Sequence, residues 1–278
     1  VRIAYLGPAG TFTEDALREA LDPGAECEPL RTATIREAIL AVERGEAERA
    51  LVPFENSIEG SVRTSLDTLA FDAPEVTIVG EHDFAVRAML IAREEIELGR
   101  IERVVSHPQP LAQCARFLRE NLSGAAQESA PSTADAVRTV SESGEPWAAI
   151  GAGAAAELYG CAVLREGIED EANNVTRFVW IAPHGTESGD GEAWKTSLVF
   201  SELGEDHPGA LVEALQEFSS RSVNLSRIES RPLRRELGRY MFFCDLEGAL
   251  SEPPVAAAVE ALRGKAESVR ILGSYPTR

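Results

Sequence analysis

Ala50-Leu51-Val52-Pro53-Phe54-Glu55-Asn56-Ser57-Ile58-Glu59-Gly60-Ser61-Val62 is the stretch from which the fold can be read. A short strand over 50–53 runs into a polar loop, after which Val62, Leu66 and Leu69 recur at helical spacing. The same alternation holds upstream. Residues 2–6 predict a strand, Gly7 to Thr13 a tight turn, and the following residues a helix to about Leu21. A strand near 27–31 and a helix over 34–44, with Ile35, Ala38, Ile39 and Val42 on one face, complete the run. Strands and helices alternating at this length predict a parallel, wound α/β sheet. Ligands of such sheets sit at the carboxyl ends of strands, which makes Asn56 and Ser57 candidate contacts; a plain turn explains them equally. A glycine-rich turn before a helix can likewise hold an anion, while Thr11 or Thr13 there can equally be only an N-cap.

Downstream, residues 76–80 and 84–92 predict strands that cross into a second lobe of about residues 82–160. A strand over 101–105 ends in Ser106-His107-Pro108-Gln109-Pro110 and enters one helix carrying Leu111, Gln113, Ala115 and Leu118. A strand over 125–129 and a helix from Ser132 to Val140 follow, with Ser132 and Asp135 in capping-box spacing. Next come a strand over 147–151, a helix of small residues over 152–158 and a strand over 162–164. The chain then returns through Asn173-Asn174-Val175-Thr176-Arg177-Phe178 into the apolar run 179–182. Two amides, a hydroxyl and a guanidinium at a strand mouth suit a small anion, although such residues more often make a turn. Two lobes joined by crossing strands imply a cleft, a common small-molecule site.

Residues 184–193 (HGTESGDGEA) read as a linker. Beyond it, strands over 195–201, 224–230, 239–246 and 268–274 and helices over 208–219, behind Asp206-His207-Pro208-Gly209, and 254–264 give the order βαββαβ. That order predicts a ferredoxin-like sheet backed by two helices. Arg227, Arg231, Arg234, Arg235 and Arg239 gather near one hairpin, and Pro232 marks an edge strand of the kind that pairs with another copy.

Composition narrows the function. A net charge of −19 opposes nucleic acid and anionic membranes as partners. No run is long enough to span a membrane, residues 1–25 lack a signal-peptide layout, and Cys27, Cys114, Cys161 and Cys244 form no Cys-x-x-Cys pair. The expectation is a cytoplasmic protein with reduced thiols, no metal and no cofactor. Its only lysines are Lys195 and Lys265, so Schiff-base and phosphate-loop lysines are excluded from the first two-thirds.

Several separated motifs, in order, resemble one family: prephenate dehydratase. They are Gly7-Pro8-x-Gly10-Thr11-Phe12, Pro53-x-Glu55-Asn56-Ser57-x-x-Gly60-x-Val62, Ser106-His107-Pro108-Gln109-Pro110 with Gln113, and Asn174-x-Thr176-Arg177-Phe178. The C-terminal unit resembles an ACT regulatory domain, with Gly209-Ala210-Leu211-Val212 and Glu229-Ser230-Arg231-Pro232 at its phenylalanine-binding motifs, beside Asn224 and Leu225. The resemblance implies a catalytic domain (1–183) folded like a type II periplasmic binding protein, the linker, and an ACT domain (194–278). No helical mutase segment precedes the first motif, so the monofunctional form is expected.

The implied reaction removes carbon dioxide and the ring hydroxyl of prephenate together, and aromatisation supplies the driving force. Asn56, Ser106, Gln113, Thr176 and Arg177 carry over as active-site positions. On this reading Thr176 hydrogen-bonds or protonates the leaving hydroxyl, with Asn56, Ser106 and Gln113 around it and Glu55, or less directly His107, as alternative proton donors. Arg177 pairs with a substrate carboxylate, and Thr11, Ser57 and Phe178 complete the binding surface. Phenylalanine is expected to inhibit at an interface between paired ACT domains and to tighten a homodimer or homotetramer. Arogenate as substrate, or a non-catalytic solute-binding protein, are the competing readings.

Overall fold

The computed structural model describes residues 1–22, 24–203 and 208–277; the sequence reading at Asp206 and His207 lies outside the described residues. The chain opens with β1 (Arg2–Leu6), α1 (Phe12–Ala20), β2 (Glu28–Thr32), α2 (Ile35–Glu43), β3 (Arg49–Asn56), the two-residue β4 (Gly60–Ser61) and α3 (Arg63–Phe71). It continues through β5 (Val76–Ala85), β6 (Met89–Ala92), β7 (Arg103–Ser106), α4 (Pro108–Gln113), α5 (Ala115–Asn121), β8 (Ala126–Ser129), α6 (Thr133–Glu142), β9 (Trp147–Gly151), α7 (Gly153–Tyr159), β10 (Ala162–Glu166) and β11 (Val175–Pro183). The last part is β12 (Ala193–Ser201), α8 (Ala210–Ser219), β13 (Leu225–Pro232), β14 (Tyr240–Glu247), α9 (Pro253–Arg263) and β15 (Ser268–Thr277). Among the described residues no helix is long and apolar enough to cross a membrane, and all four cysteines are free.

Two compact units emerge: residues 1–38, 51–60 and 83–178, and residues 39–50, 61–82 and 179–278. One sheet runs β2-β1-β3-β11-β5, with β4 against β3, and β1 and β2 are parallel as expected. A second runs β10-β6-β9-β7-β8. Its β7 is parallel to β8 and β9, but β6 is antiparallel to both β9 and β10, so this sheet is mixed and not wholly parallel. Apolar residues cover both of its faces. Leu90, Val104 and Ile150 join one core cluster with Leu111 and Leu118, while their chain neighbours Ile91, Val105 and Ala149 join another with Val137 and Ala155.

Three local readings change. The strand expected at 50–53 extends to Asn56, so Glu55 and Asn56 belong to β3 and project to opposite faces. The crossing strand is continuous from Val76 to Ala85. The single helix expected after Pro108 is two, broken at Cys114 (φ −112°, ψ 16°). The Asp170 carboxylate accepts the backbone N–H groups of Arg116 and Phe117 and caps the second piece, while the Asp170 N–H donates to the carbonyl of Gln113.

In the other unit, the C-terminal sheet runs β13-β14-β12-β15 with antiparallel pairs, which makes β13 an edge strand. One face packs Leu198, Phe200, Cys244 and Leu246 against Phe218 of α8 and Val259 and Leu262 of α9. Elsewhere on the sheet, the Ser197 hydroxyl lies 2.6 Å from Asp245 Oδ1 and 2.7 Å from the Tyr275 hydroxyl.

Candidate active site

A pocket of about 540 Å³ opens in the first unit, at the carboxyl ends of β1, β3, β7 and β8. Three helices start on its wall: α1 at Thr11–Thr13, α4 at His107–Gln109 and α6 at Ser132–Thr133. First-turn N–H groups have no partner within their own helix, so these starts face the pocket with positive partial charge. Among the described residues lining it, none is a lysine or arginine; His107 and Asp135 are the titratable ones.

The turn after β1 needs its glycine. Gly10 has φ +80°, and a Cβ there would stand 2.9 Å from the Cα of Ala155 on α7. Thr11 occupies the N-cap of α1 without a side-chain capping bond; its hydroxyl donates to the Leu6 carbonyl at 3.3 Å. Glu14 ties down the preceding turn instead, its carboxylate accepting the Gly10 N–H and the Tyr5 hydroxyl, each at 3.0 Å. Burial pushes the Glu14 carboxyl up, but these bonds and Arg18 outweigh it and hold it below the ordinary carboxylate value. Ser132 caps α6 by accepting the Asp135 N–H at 3.0 Å, as the spacing predicts.

Asn56, Asn174 and Thr176 form the centre of the polar wall. Asn56 Nδ2 donates to Asn174 Oδ1 at 2.8 Å and to Thr176 Oγ1 at 2.9 Å. Asn174 Nδ2 then donates to Gln113 Oε1 at 3.4 Å, and Gln113 Nε2 to Glu59 at 3.3 Å. Asn56, Gln113, Thr176, Thr11 and Phe178 are thus brought to the pocket, with Phe178 edge-on to Phe84.

Four expected residues are not on that wall. In β11, Thr176 and Phe178 share the pocket face, so Arg177 between them projects to the other. There its guanidinium lies 3.5 Å from Glu55 and over the Phe54 ring, which removes both Arg177 and Glu55 from the lining. Ser106 is fully buried and donates to the Ile150 carbonyl at 2.7 Å. Ser57 is exposed, and it stitches the loop to β11 by donating to the Asn173 carbonyl and accepting the Val175 N–H. Conversely, Asn174, His107, Ser132 and Thr133 line the pocket. The alternation of Asn174, Thr176 and Phe178 along one strand is the sequence signal that finds the first of these.

In the C-terminal unit, Gly209 (φ 101°) is the N-cap of α8, and Val212 on its first turn is exposed. Glu229–Pro232 lie on the edge strand β13. The Arg231 guanidinium is engaged by Asp67 of α3 through two bonds of 3.0 and 2.7 Å.

Comparison with known proteins identifies this combination. The family model for prephenate dehydratase matches residues 3–186, about two-thirds of the chain, and that for the ACT domain matches residues 202–264. The chain belongs to the prephenate dehydratase family. A prephenate dehydratase from Mycobacterium sp. (strain JLS) is 42% identical over 288 residues, spanning 99% of this chain and 89% of that protein. The crystal structure of a prephenate dehydratase from Arthrobacter aurescens in complex with L-Phe is 39% identical at a TM-score of 0.90, over 99% of this chain and 90% of that one. GqqA, described as a novel type of quorum quenching acylase, is 32% identical at a TM-score of 0.86, over 100% and 98%. As a prephenate dehydratase the chain is a lyase of phenylalanine biosynthesis, and its ACT domain serves phenylalanine feedback.

Proposed function

We propose that the pocket in the first unit is where prephenate loses its ring carboxylate and hydroxyl, and that Thr176 is the hydroxyl's partner. The observation that carries this is Thr176 itself, on the pocket wall with Oγ1 held by Asn56 at 2.9 Å. As carbon dioxide leaves, its bonding electrons pass into the ring and the C–O bond to the hydroxyl breaks; hydroxide departs as water once it gains a proton. A hydroxyl aimed at that oxygen stabilises the charge developing on it. The substrate's carboxylates are met by the N-termini of α1 and α6 and by neutral donors, in place of the Arg177 pairing expected earlier. His107, also on the pocket wall, accepts the Gln109 N–H on Nδ1, which makes Nε2 the proton-bearing nitrogen of its neutral ring.

The two sheets joined through β5 and β11 support a type II periplasmic-binding-protein-like architecture for residues 1–183, with 184–193 as a linker. The βαββαβ order and the sheet order β13-β14-β12-β15 support a ferredoxin-like ACT domain over 194–278. Exposed Val212 and Ile228, beside an edge strand, suit pairing with a second copy, with phenylalanine held between Gly209–Val212, Asn224–Leu225 and Glu229–Pro232. Four free cysteines suit a reducing cytoplasm.

The test is phenylpyruvate formation from prephenate by the wild type and by Thr176→Ala, with arogenate run in parallel. Turnover by Thr176→Ala should fall well beyond tenfold; a smaller loss, under ~1.4 kcal/mol of barrier, removes Thr176 from the chemistry.

A further inference from the structure

The direction of each hydrogen bond around Thr176 is fixed by the backbone. Asn56 Oδ1 accepts two main-chain donors, the N–H groups of Ile58 and Glu59, each at 2.9 Å. A backbone N–H can only donate, so the oxygen of this amide must face the loop and its nitrogen must face β11. The two amide protons meet Asn174 Oδ1 at 2.8 Å and Thr176 Oγ1 at 2.9 Å, and the Val175 carbonyl is a longer third acceptor at 3.3 Å. Thr176 Oγ1 is therefore an acceptor toward Asn56. Its own proton is left to point elsewhere, and Thr176 lines the pocket.

Asn174 completes the constraint. It is 3% exposed. Its Oδ1 takes one Asn56 proton, which leaves the other for Thr176. Its Nδ2 then faces Gln113 Oε1, which continues the same donor-to-acceptor sense to Glu59.

We propose that Asn174 is a further positioning residue of the reaction: as the acceptor of one Asn56 amide proton, it keeps the other on Thr176 Oγ1, so that Thr176 presents its proton, and not a lone pair, to the departing hydroxyl. This rests on the reading of Thr176 as the leaving-group partner. No proton need be transferred through the amides; they set an orientation before the substrate arrives.

Removing the acceptor, in the presence and in the absence of Thr176, separates this from a merely structural role. In Asn56→Asp, one carboxylate oxygen keeps the backbone donors while the other faces Thr176. Thr176 must then donate to it, and its proton is withdrawn from the pocket. In Asn174→Leu, the acceptor that Asn56 needs is gone and no charge is added, so the other Asn56 proton is no longer held on Thr176. The expected result, with prephenate, is a kcat loss of ~100-fold or more for Asn56→Asp and of about tenfold for Asn174→Leu, the latter at nearly unchanged KM and with no further loss when it is added to Thr176→Ala.

Asn56→Asp should also regain kcat as pH falls and the introduced carboxylate protonates, whereas the wild type should not. If Asn174→Leu proves too unstable to assay, Asn174→Ala takes its place. A loss within about twofold at Asn174, the same loss with and without Thr176, or a flat profile for Asn56→Asp overturns the proposal. Thr176→Ala, assayed alongside, keeps the two levels apart: if it retains turnover, the leaving-group role itself is lost, whatever the amide variants do.

Discussion

Asp67→Asn removes one charge from a bidentate ion pair of the second unit without changing shape. Arg231 makes two bonds to the Asp67 carboxylate and Arg234 a third, at 3.0, 2.7 and 2.7 Å. Asp67 and Arg231 are 14% and 17% exposed, while Arg234 is 55% exposed. An exposed pair contributes under ~1 kcal/mol, whereas stranding one partner of a buried pair costs about 3–5 kcal/mol. Intermediate burial with bidentate geometry places Asp67→Asn at about 2 kcal/mol, or roughly 4–8 °C in melting temperature. Arg234→Ala should cost under ~1 kcal/mol.

The pH dependence has a definite sign. Burial pushes the Asp67 carboxyl up, but the bonds from Arg231 and Arg234 outweigh it and hold the group below its ordinary value. Its contribution is therefore present above the unfolded carboxylate pKa and lost as pH falls through the lower folded one. The gap between wild type and Asp67→Asn should persist from neutral pH down to about 5 and close below ~4. Thermal unfolding followed by tryptophan fluorescence measures it. Melting of Asp67→Asn within ~1 °C of wild type, or an equal loss in Arg234→Ala, would refute the reasoning.

Gly10→Ala should lower the melting temperature more than Gly45→Ala, since both sites have positive φ but only Gly10 has a neighbour, Ala155, within 4 Å of the added carbon. The shared conformational cost is about 1–2 kcal/mol, and differential scanning calorimetry of the two variants isolates the contact. Tyr5→Phe removes a donor to the buried Glu14 carboxylate, whose stabilising effect is present above the ordinary carboxylate range and lost below it; acid unfolding followed by circular dichroism should move to higher pH. The thiols of Cys114 and Cys244 are pushed up to about 12, by burial first and neighbouring acidic charge second, so at pH 8 a disulfide reagent should titrate Cys27 and Cys161 in the native protein and all four after denaturation.

Periodicity located most strands and helices, because each exposes or buries residues at its own spacing. What it did not convey was which group meets which. Arg177 and Glu55 look like substrate ligands when read as chemistry, yet a strand sends neighbours to opposite faces, and Thr176 and Phe178 already occupy the pocket face. Ser106 looks reactive at a strand end, but Ile150, distant in sequence, supplies an acceptor that ties it down. The break at Cys114 was equally hidden, since the residue that ends one helix and starts the next is Asp170, more than fifty positions away. Asn174 sat inside a recognised motif and gained its meaning only from Asn56 across the sheet.

The absence of lysine and arginine from the described residues lining the pocket bears on how the substrate arrives. Prephenate is a dianion, and the chain that receives it has a net charge of −19. Oriented neutral dipoles act over one or two contacts, whereas charge repulsion extends over the Debye length, about 10 Å at 0.1 M salt. Encounter is thus opposed at long range and favoured only at the end. Added salt screens the first and leaves the second, so kcat/KM at low ionic strength should rise with salt, opposite to an enzyme that draws its anion in with cations.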